Sequence, residues 1–487
     1  MQLSTLDYIV LFGYLVATAL LGVWLGRGQR STTDYFLGGR QLPWWALSLS
    51  IVATETSTLT FIGIPTFAYD RNLTFLQLAI GYVIGKILVS FVLIPAYFKG
   101  DIQSAYEILT FRFGSKVKNL SAGLFQVNRT LADGVRLFAT ALVLSVVTRI
   151  SDVWTVVIIG VITIVYTFYG GITAVVWNDV IQLLVYIVGA IIAFFLLIDR
   201  LPGGWQEITR LAAESDKFQV FDFSFSLENP YTFVGAIVGG AFLAFATHGT
   251  DQMMVQRYLS CSSRVKSQQG LILSGIIVLG QFLLFLVIGV LLFSFYEHSS
   301  SAPPADSQRI FPVFIVEEMP RGISGLVIAA VFAAAMSTLS SSLNSLASST
   351  LNDFYRPYLA PGAPEKHYIR MSRFFTAGWG VVLIAVSLLA RNWGSVLEVG
   401  LGITSVVMGS VLGAFLLGQW TRVRSETAGL IAMISGLGVV ILVHVNGVYG
   451  WGLLPVVAWT WYVLIGASTT LLTGMAVERF VRGATRH

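Results

Sequence analysis

Residues Leu42–Asp70 read LPWWALSLSIVATETSTLTFIGIPTFAYD. Both ends are apolar enough to cross a bilayer, which takes roughly 20 residues of helix. The centre is different: Ala53–Thr60 places five Thr or Ser residues around Glu55, with Gly63 and Pro65 just beyond. Few of these residues favour a helix, because hydroxyls compete for the backbone and β-branches lose rotamers. The stretch therefore predicts a spanning helix that breaks near its middle. A second interruption, FATHGTDQMM (Phe245–Met254), puts Gly249 and Asp251 in mid-helix. Two discontinuous helices five spans apart point to an inverted-repeat transporter, whose freed carbonyls and helix ends bind ions and solute at the midplane. The competing reading is Ser and Thr used for close helix packing.

The rest of the chain fits that setting. Of 487 residues, 55% are hydrophobic and only 11% charged, too little charge for a soluble surface of this size. The apolar residues fall in long blocks, and the chain reads as an all-α polytopic membrane protein of about thirteen spans. These are expected near 5–26, 43–68, 73–98, 118–148, 153–170, 173–199, 231–257, 270–296, 322–351, 371–391, 395–419, 427–446 and 451–476. Met1–Leu25 lacks a basic start and a small-x-small cleavage site, so it reads as a retained first span. Basic residues cluster in alternate loops: Arg27, Arg30 and Arg40; Lys99, Arg112, Lys116 and Lys118; Arg257, Arg264 and Lys266; Arg356, Lys366, Arg370 and Arg373; Arg422 and Arg424. Residues 200–230 on the other side are net acidic. The positive-inside rule puts the N-terminus outside and the C-terminus in the cytoplasm, in an inner or plasma membrane. The net charge of +5 lies in these loops and carries no nucleic-acid signal. The single cysteine, Cys261, excludes an intrachain disulfide and reads as a free thiol in a cytosolic loop. QSAYEILTFRFG (Gln103–Gly114) reads as a short amphipathic helix on the cytosolic surface.

Polar residues inside spans are the functional candidates. In AAAMSTLSSSLNSLASST (Ala333–Thr350), residues Ser337, Ser340, Ser341, Asn344, Ser345 and Ser348 share one narrow stripe at about 100° per residue. Leu339, Leu343 and Leu346 take the opposite face. A neutral cage of hydroxyl and carbonyl oxygens suits Na⁺ better than a divalent ion, which would want carboxylates; a serine packing face is the alternative. Asp179 lies inside the sixth span, as a functional acid or an interfacial anchor. In NRTLADGVRLFA, Arg129, Asp133 and Arg136 share a face; Asp133 neutralises one arginine and leaves an excess of +1 for a substrate carboxylate or a structural network. His248 is either a packed neutral histidine or a substrate contact. Five histidines, one cysteine and no HExxH spacing argue against an enzyme. Nothing resembles a repeated selectivity filter. A proton-coupled transporter with Glu55, Asp179 or Asp251 as carrier stays open.

Four stretches, DYFLGGRQLPWWALSLSIVATETSTLTFIG, GGITAVVWNDVIQ, VQRYLS and AAAMSTLSSSLNS, resemble the sodium/solute symporter family over nearly the whole chain and in the right order. That family includes bacterial proline, galactose and sialic acid symporters and mammalian glucose, iodide, multivitamin and monocarboxylate carriers. The resemblance implies a LeuT-type fold of two inverted five-helix repeats, here about 43–199 and 231–419, in one transmembrane domain. An extra helix at about 5–26 and C-terminal helices at about 427–476 lie outside the repeats. It implies Na⁺ as the coupling ion at a main site formed by carbonyls of Ala53, Thr56 and Ala334 with hydroxyls of Ser337 and Thr338. A second sodium would use Asp179, Ser340 and Ser341. Sugar-carrier contacts fall on Leu59, Thr60 and Ala79, which argues against a galactose-type site. FIGIPTFAYDRNLTFLQ is similar to the iodide, vitamin and monocarboxylate branch, and Arg136 lies near an arginine that binds carboxylate in sialic acid symporters. The expected substrate contacts are Glu55, Ser57, Thr60, Gln77, Arg136, Thr247 and His248. The function expected is sodium-coupled import of a small organic anion by alternating access, with a sugar or other neutral solute as the alternative.

Overall fold

A computed structural model of the chain describes residues 3–201, 203–298, 303–390 and 396–484. The junction expected at 391–395 lies outside the described residues, as does the side chain of Leu59. The fold is all-helical. It opens with α1 (Thr5–Leu25), the short α2 (Thr32–Leu37), then α3 (Trp44–Glu55) and α4 (Thr58–Asp70). Next come α5 (Phe75–Leu88), α6 (Ile94–Tyr97), α7 (Glu107–Arg112), α8 (Ser115–Thr148) and the 49-residue α9 (Asp152–Arg200). The second half runs through α10 (Gly204–Glu214), α11 (Phe233–Gly249), α12 (Gln252–Leu259), α13 (Arg264–His298), α14 (Ile310–Glu317) and α15 (Ile323–Ser349). It closes with α16 (Glu365–Leu389), α17 (Val396–Trp420), α18 (Glu426–Tyr449) and α19 (Tyr462–Ala484).

Among the described residues, nine helices are long and apolar enough to cross a membrane, and two bent pairs would each add one. Those pairs are α3 with α4, bent by 58°, and α11 with α12, bent by 61°. The breaks fall where hydroxyl-rich and glycine-rich sequence weakens the helix. At about 1.5 Å per residue, α9 is more than twice as long as a bilayer core is thick. It turns at Gly171, whose φ of 55° and ψ of −155° suit only glycine and whose Cβ would collide with the Tyr35 carbonyl.

The centre of the bundle is α15. In its most apolar window 89% of the residues are buried, against 22% for α1 and 28% for α16. Helix α15 packs along α9, and α5 packs along α11. The second pair approaches backbone to backbone: a Cβ at Gly81 would lie 2.6 Å from Ile237 O, and one at Gly240 the same distance from Leu78 O. Helix α1 is tied to the start of α15 by Asp7, which closes a capping box with Ser4 and accepts from the amides of Gly322 (2.6 Å) and Gly325 (2.9 Å). These packings bring both helix breaks and the serine face of α15 to the middle of the molecule.

One expectation about the basic loops needs correction. Arg257 is not in a loop: it lies on α12, 1% exposed, at the core of the protein. Cys261 is free, as expected, and lies between α12 and α13; it is buried, with its thiol 3.6 Å from Leu42 O, and burial pushes that thiol up to about 11.

Candidate functional site

At the α3–α4 break the backbone changes partners. The Ser57 amide turns back to Glu55 O (3.1 Å), and the amides of Thr60 and Phe61 both go to Ser57 O (2.9 and 3.1 Å). In an unbroken helix the amides of Ser57 and Thr60 would bond Ala53 O and Thr56 O. Both carbonyls are thus released from the ladder. Across from them, Thr338 Oγ1 on α15 donates to Thr54 O (3.2 Å) and lies 3.4 Å from Ala334 O. One turn further out, Thr58 Oγ1 donates to Val331 O (3.2 Å), which holds the start of α4 against α15. Ser337 Oγ points instead to Asp179, donating to Oδ1 at 2.6 Å.

Asp179 is fully buried on α9 and accepts from Ser50 Oγ (2.5 Å) and from Arg257 Nη2 (3.0 Å) through Oδ2. The Arg257 guanidinium also donates to Ser50 Oγ (2.9 Å), Thr54 Oγ1 (2.7 Å), Met253 O (2.7 Å) and Ser341 Oγ. The acid and hydroxyl expected to hold a second cation thus already surround one, supplied by α12. Ser340 Oγ donates to Ser337 O (3.1 Å), back along its own helix. Asn344 accepts from Gln256 (2.5 Å) and Ser348 from Gln252 (3.3 Å), so the lower stripe of α15 holds α12.

A cavity of about 150 Å³ lies beside the break. Six of the seven expected substrate contacts line it: Glu55, Ser57, Thr60, Arg136, Thr247 and His248. Its other walls are largely apolar, with Ile64, Phe75, Leu243, Met253, Met254 and Phe282 among them. A smaller void of about 10 Å³ shares Ser57 and Arg136 with this cavity and reaches Thr338 on α15. The seventh residue, Gln77, is elsewhere. Its amide nitrogen donates to Thr74 O (3.2 Å) and Tyr231 O (2.9 Å), and its oxygen accepts from the Asp222 amide (3.2 Å). It fastens the loop before α11.

The charges around the cavity are paired. Arg136 reaches Asp133 at 2.8 Å, and Arg129 is ion-paired with Asp251 at the start of α12. The excess of +1 read from α8 alone is therefore cancelled by a residue 122 positions away. Glu55 is held by Lys86 Nζ on α5, at 2.7 Å, and by His248 Nε2. The sequence reading missed Lys86. The signal was present: it is a lone cation within the third expected span, and an ionisable residue there calls for a partner. Among the described residues no group of three or more His, Cys, Asp or Glu could hold a metal ion, so carbonyls and hydroxyls are the donors on offer.

The sequence model of the family described as sodium:solute symporter matches residues 35–436. The sodium/sialic acid symporter SiaT of Proteus mirabilis is 33% identical over 480 residues, covering 96% of this chain and 94% of that one. The human sodium/iodide cotransporter is 30% identical over 452 residues, 89% of this chain and 68% of its own. The solved substrate-bound, outward-open structure of a Na⁺-coupled sialic acid symporter superposes with a TM-score of 0.88 at 30% identity, covering 98% of both chains. With its broken helices and paired intramembrane charges, the chain belongs to the sodium:solute symporter family.

Proposed function

We propose that the protein is a secondary active symporter that imports a small carboxylate-bearing solute with Na⁺. The observation that carries this reading is the meeting of the α3–α4 break with the hydroxyl face of α15. Thr338 Oγ1 reaches Thr54 O at the break and lies 3.4 Å from Ala334 O. We assign the released carbonyls of Ala53 and Thr56 to a sodium site with Ala334 O, Thr338 Oγ1 and a Ser337 hydroxyl turned from Asp179, a neutral oxygen set that suits a hard monovalent cation. Sodium there holds the break against α15. Solute enters the adjacent cavity, and the bundle then rocks to open the other side. The supporting architecture is thirteen crossings in which ten helices form two inverted five-helix repeats, with the basic loops in the cytoplasm.

A carboxylate is favoured by Arg136. This residue lines the cavity, its side chain keeps 21% exposure, and one carboxylate oxygen of Asp133 engages it. A guanidinium has five donors, so it can bind a second planar anion. The apolar walls suit a solute with a hydrocarbon body. Arg136→Ala is expected to lower uptake of such an anion by at least about thirtyfold, since a charge-assisted pair lost from a desolvated site costs about 2–5 kcal/mol. Normal uptake by a folded Arg136→Ala protein would return Arg136 to a structural role.

A proton carrier would have to break an ion pair in each cycle, since Glu55, Asp179 and Asp251 are each ion-paired. Replacing Na⁺ by choline at fixed pH in proteoliposomes separates the two readings. Uptake is expected to fall to the leak level in choline; uptake that persists there and follows an imposed pH gradient would overturn sodium coupling. A second sodium at Asp179, Ser340 and Ser341 enters only when the Arg257 guanidinium withdraws, because the two cations would share the same oxygens.

A further inference from the structure

A cavity of about 580 Å³ lies at the end of the bundle that carries the basic loops, between α5–α6, α7 and α17. Its walls are mainly hydrocarbon, from Val92, Pro95, Ile108, Leu109 and Phe415. Its polar lining is of one kind. Lys99 and Arg112 bring two cations, Gln419 brings an amide, and no acid lines it. Glu107 on α7 turns away, accepting from the amides of Gln103 (3.1 Å) and Ser104 (2.9 Å). Asp101 is ion-paired with Arg40. Two of the donors are unmet: Arg112 Nε and Gln419 Nε2 are buried with no hydrogen-bond partner. Buried donors in folded proteins are nearly always paired, so an orphan donor on each of two residues of one cavity wall favours an acceptor-rich ligand that both side chains turn to meet. The rim fits a membrane surface. Phe111 is 80% exposed, and Phe91 and Trp420, chain neighbours of lining residues, are 66% and 60% exposed, as aromatic residues are at the headgroup level.

We infer that this cavity is a binding site for an anionic phospholipid. The phosphate accepts from Arg112, Gln419 and Lys99, and the acyl chains lie along Val92, Ile108 and Phe415. The position gives the lipid leverage. Helix α7 connects α6 to α8, which carries Arg129 and Arg136, and Arg112 also donates to Thr421 O beyond the end of α17. A lipid held here braces that end of the bundle independently of the sodium and solute sites.

The test uses the full-length protein in detergent, equilibrated with phosphatidylglycerol or phosphatidylcholine and read by native mass spectrometry. Wild type is expected to retain phosphatidylglycerol about tenfold better. Lys99→Gln should reduce that preference about fivefold, the worth of one basic residue near an anionic headgroup. Lys99→Gln combined with Gln419→Leu should also lower retention of both lipids, which share the phosphate, and this pair leaves the Arg112–Thr421 contact in place. Equal retention of the two lipids by wild type, or a preference unchanged in the variants, would overturn the site. Displacement of the lipid by millimolar inorganic phosphate would also overturn it, by reducing the site to one for small anions. None of these readouts depends on transport, so the lipid site and symport stand or fall separately.

Discussion

Replacing Ser337 and Thr338 together with alanine is expected to raise the sodium concentration for half-maximal uptake by at least about a hundredfold. Each hydroxyl supplies one oxygen of the proposed set of five, and a bond to a charged partner is worth about 1.5–3 kcal/mol. Two such losses amount to a factor of about a hundred to ten thousand. Neither residue is idle without sodium: Ser337 donates to the buried Asp179 at 2.6 Å, and Thr338 donates to Thr54 O at 3.2 Å. Some stability is therefore lost as well, and a fall in uptake alone does not isolate the cation. The conservative exchange Thr338→Ser separates the effects, because it keeps the oxygen and removes a methyl group. It should stay within about threefold of wild type, while the double alanine variant loses sodium-dependent thermal stabilisation. Unchanged sodium activation in a folded double variant would remove α15 from the site.

The parts of this arrangement that are local in the chain could be read from it. The breaks at Thr54–Ser57 and Gly249–Asp251 follow from residues that resist helix over a few positions. The oxygen face of α15 follows from a helical period. What could not be read was charge pairing between distant segments. Arg257 sits 78 residues from Asp179, and the positive-inside rule assigned it to a loop because it stands at the end of a span. In the folded chain α12 is the second half of a broken helix, and its last turn is buried in the bundle. The pairing of Asp251 with Arg129 has the same origin: the break at Gly249 aims the first residue of α12 at α8. Gln77 is the opposite error. A buried amide in a span invites a ligand, but here the backbone of the loop before α11 takes up its hydrogen bonds. Lys86 is legible in the chain: a lone cation in the middle of a span needs an acid, and Glu55 at the break is that acid.

Arg257→Ala is expected to destabilise the folded protein by about 3–5 kcal/mol, because it strands a buried carboxylate at Asp179. Asp179→Asn should cost less, since Ser50, Thr54, Ser341 and Met253 O still surround the guanidinium. The double variant Asp179→Asn with Arg257→Ala removes both charges, and it should be more stable than the two single losses predict. That difference measures the coupling of the pair. Sodium turns the same residues into a test of stoichiometry. In Arg257→Gln the oxygens of Asp179, Ser340 and Ser341 keep their charge and lose their tethered cation. A free cation should then take its place. Added sodium should stabilise Arg257→Gln more than wild type, and lithium or choline less than sodium. The Hill coefficient for sodium-dependent stabilisation should rise from near one in wild type towards two in the variant. A coefficient near two in both proteins would mean that sodium and Arg257 occupy the region together, and competition between them would be wrong. A coefficient near one in both would leave Asp179 as the carboxylate that locks α12 to α9, with a single sodium bound between the α3–α4 break and α15.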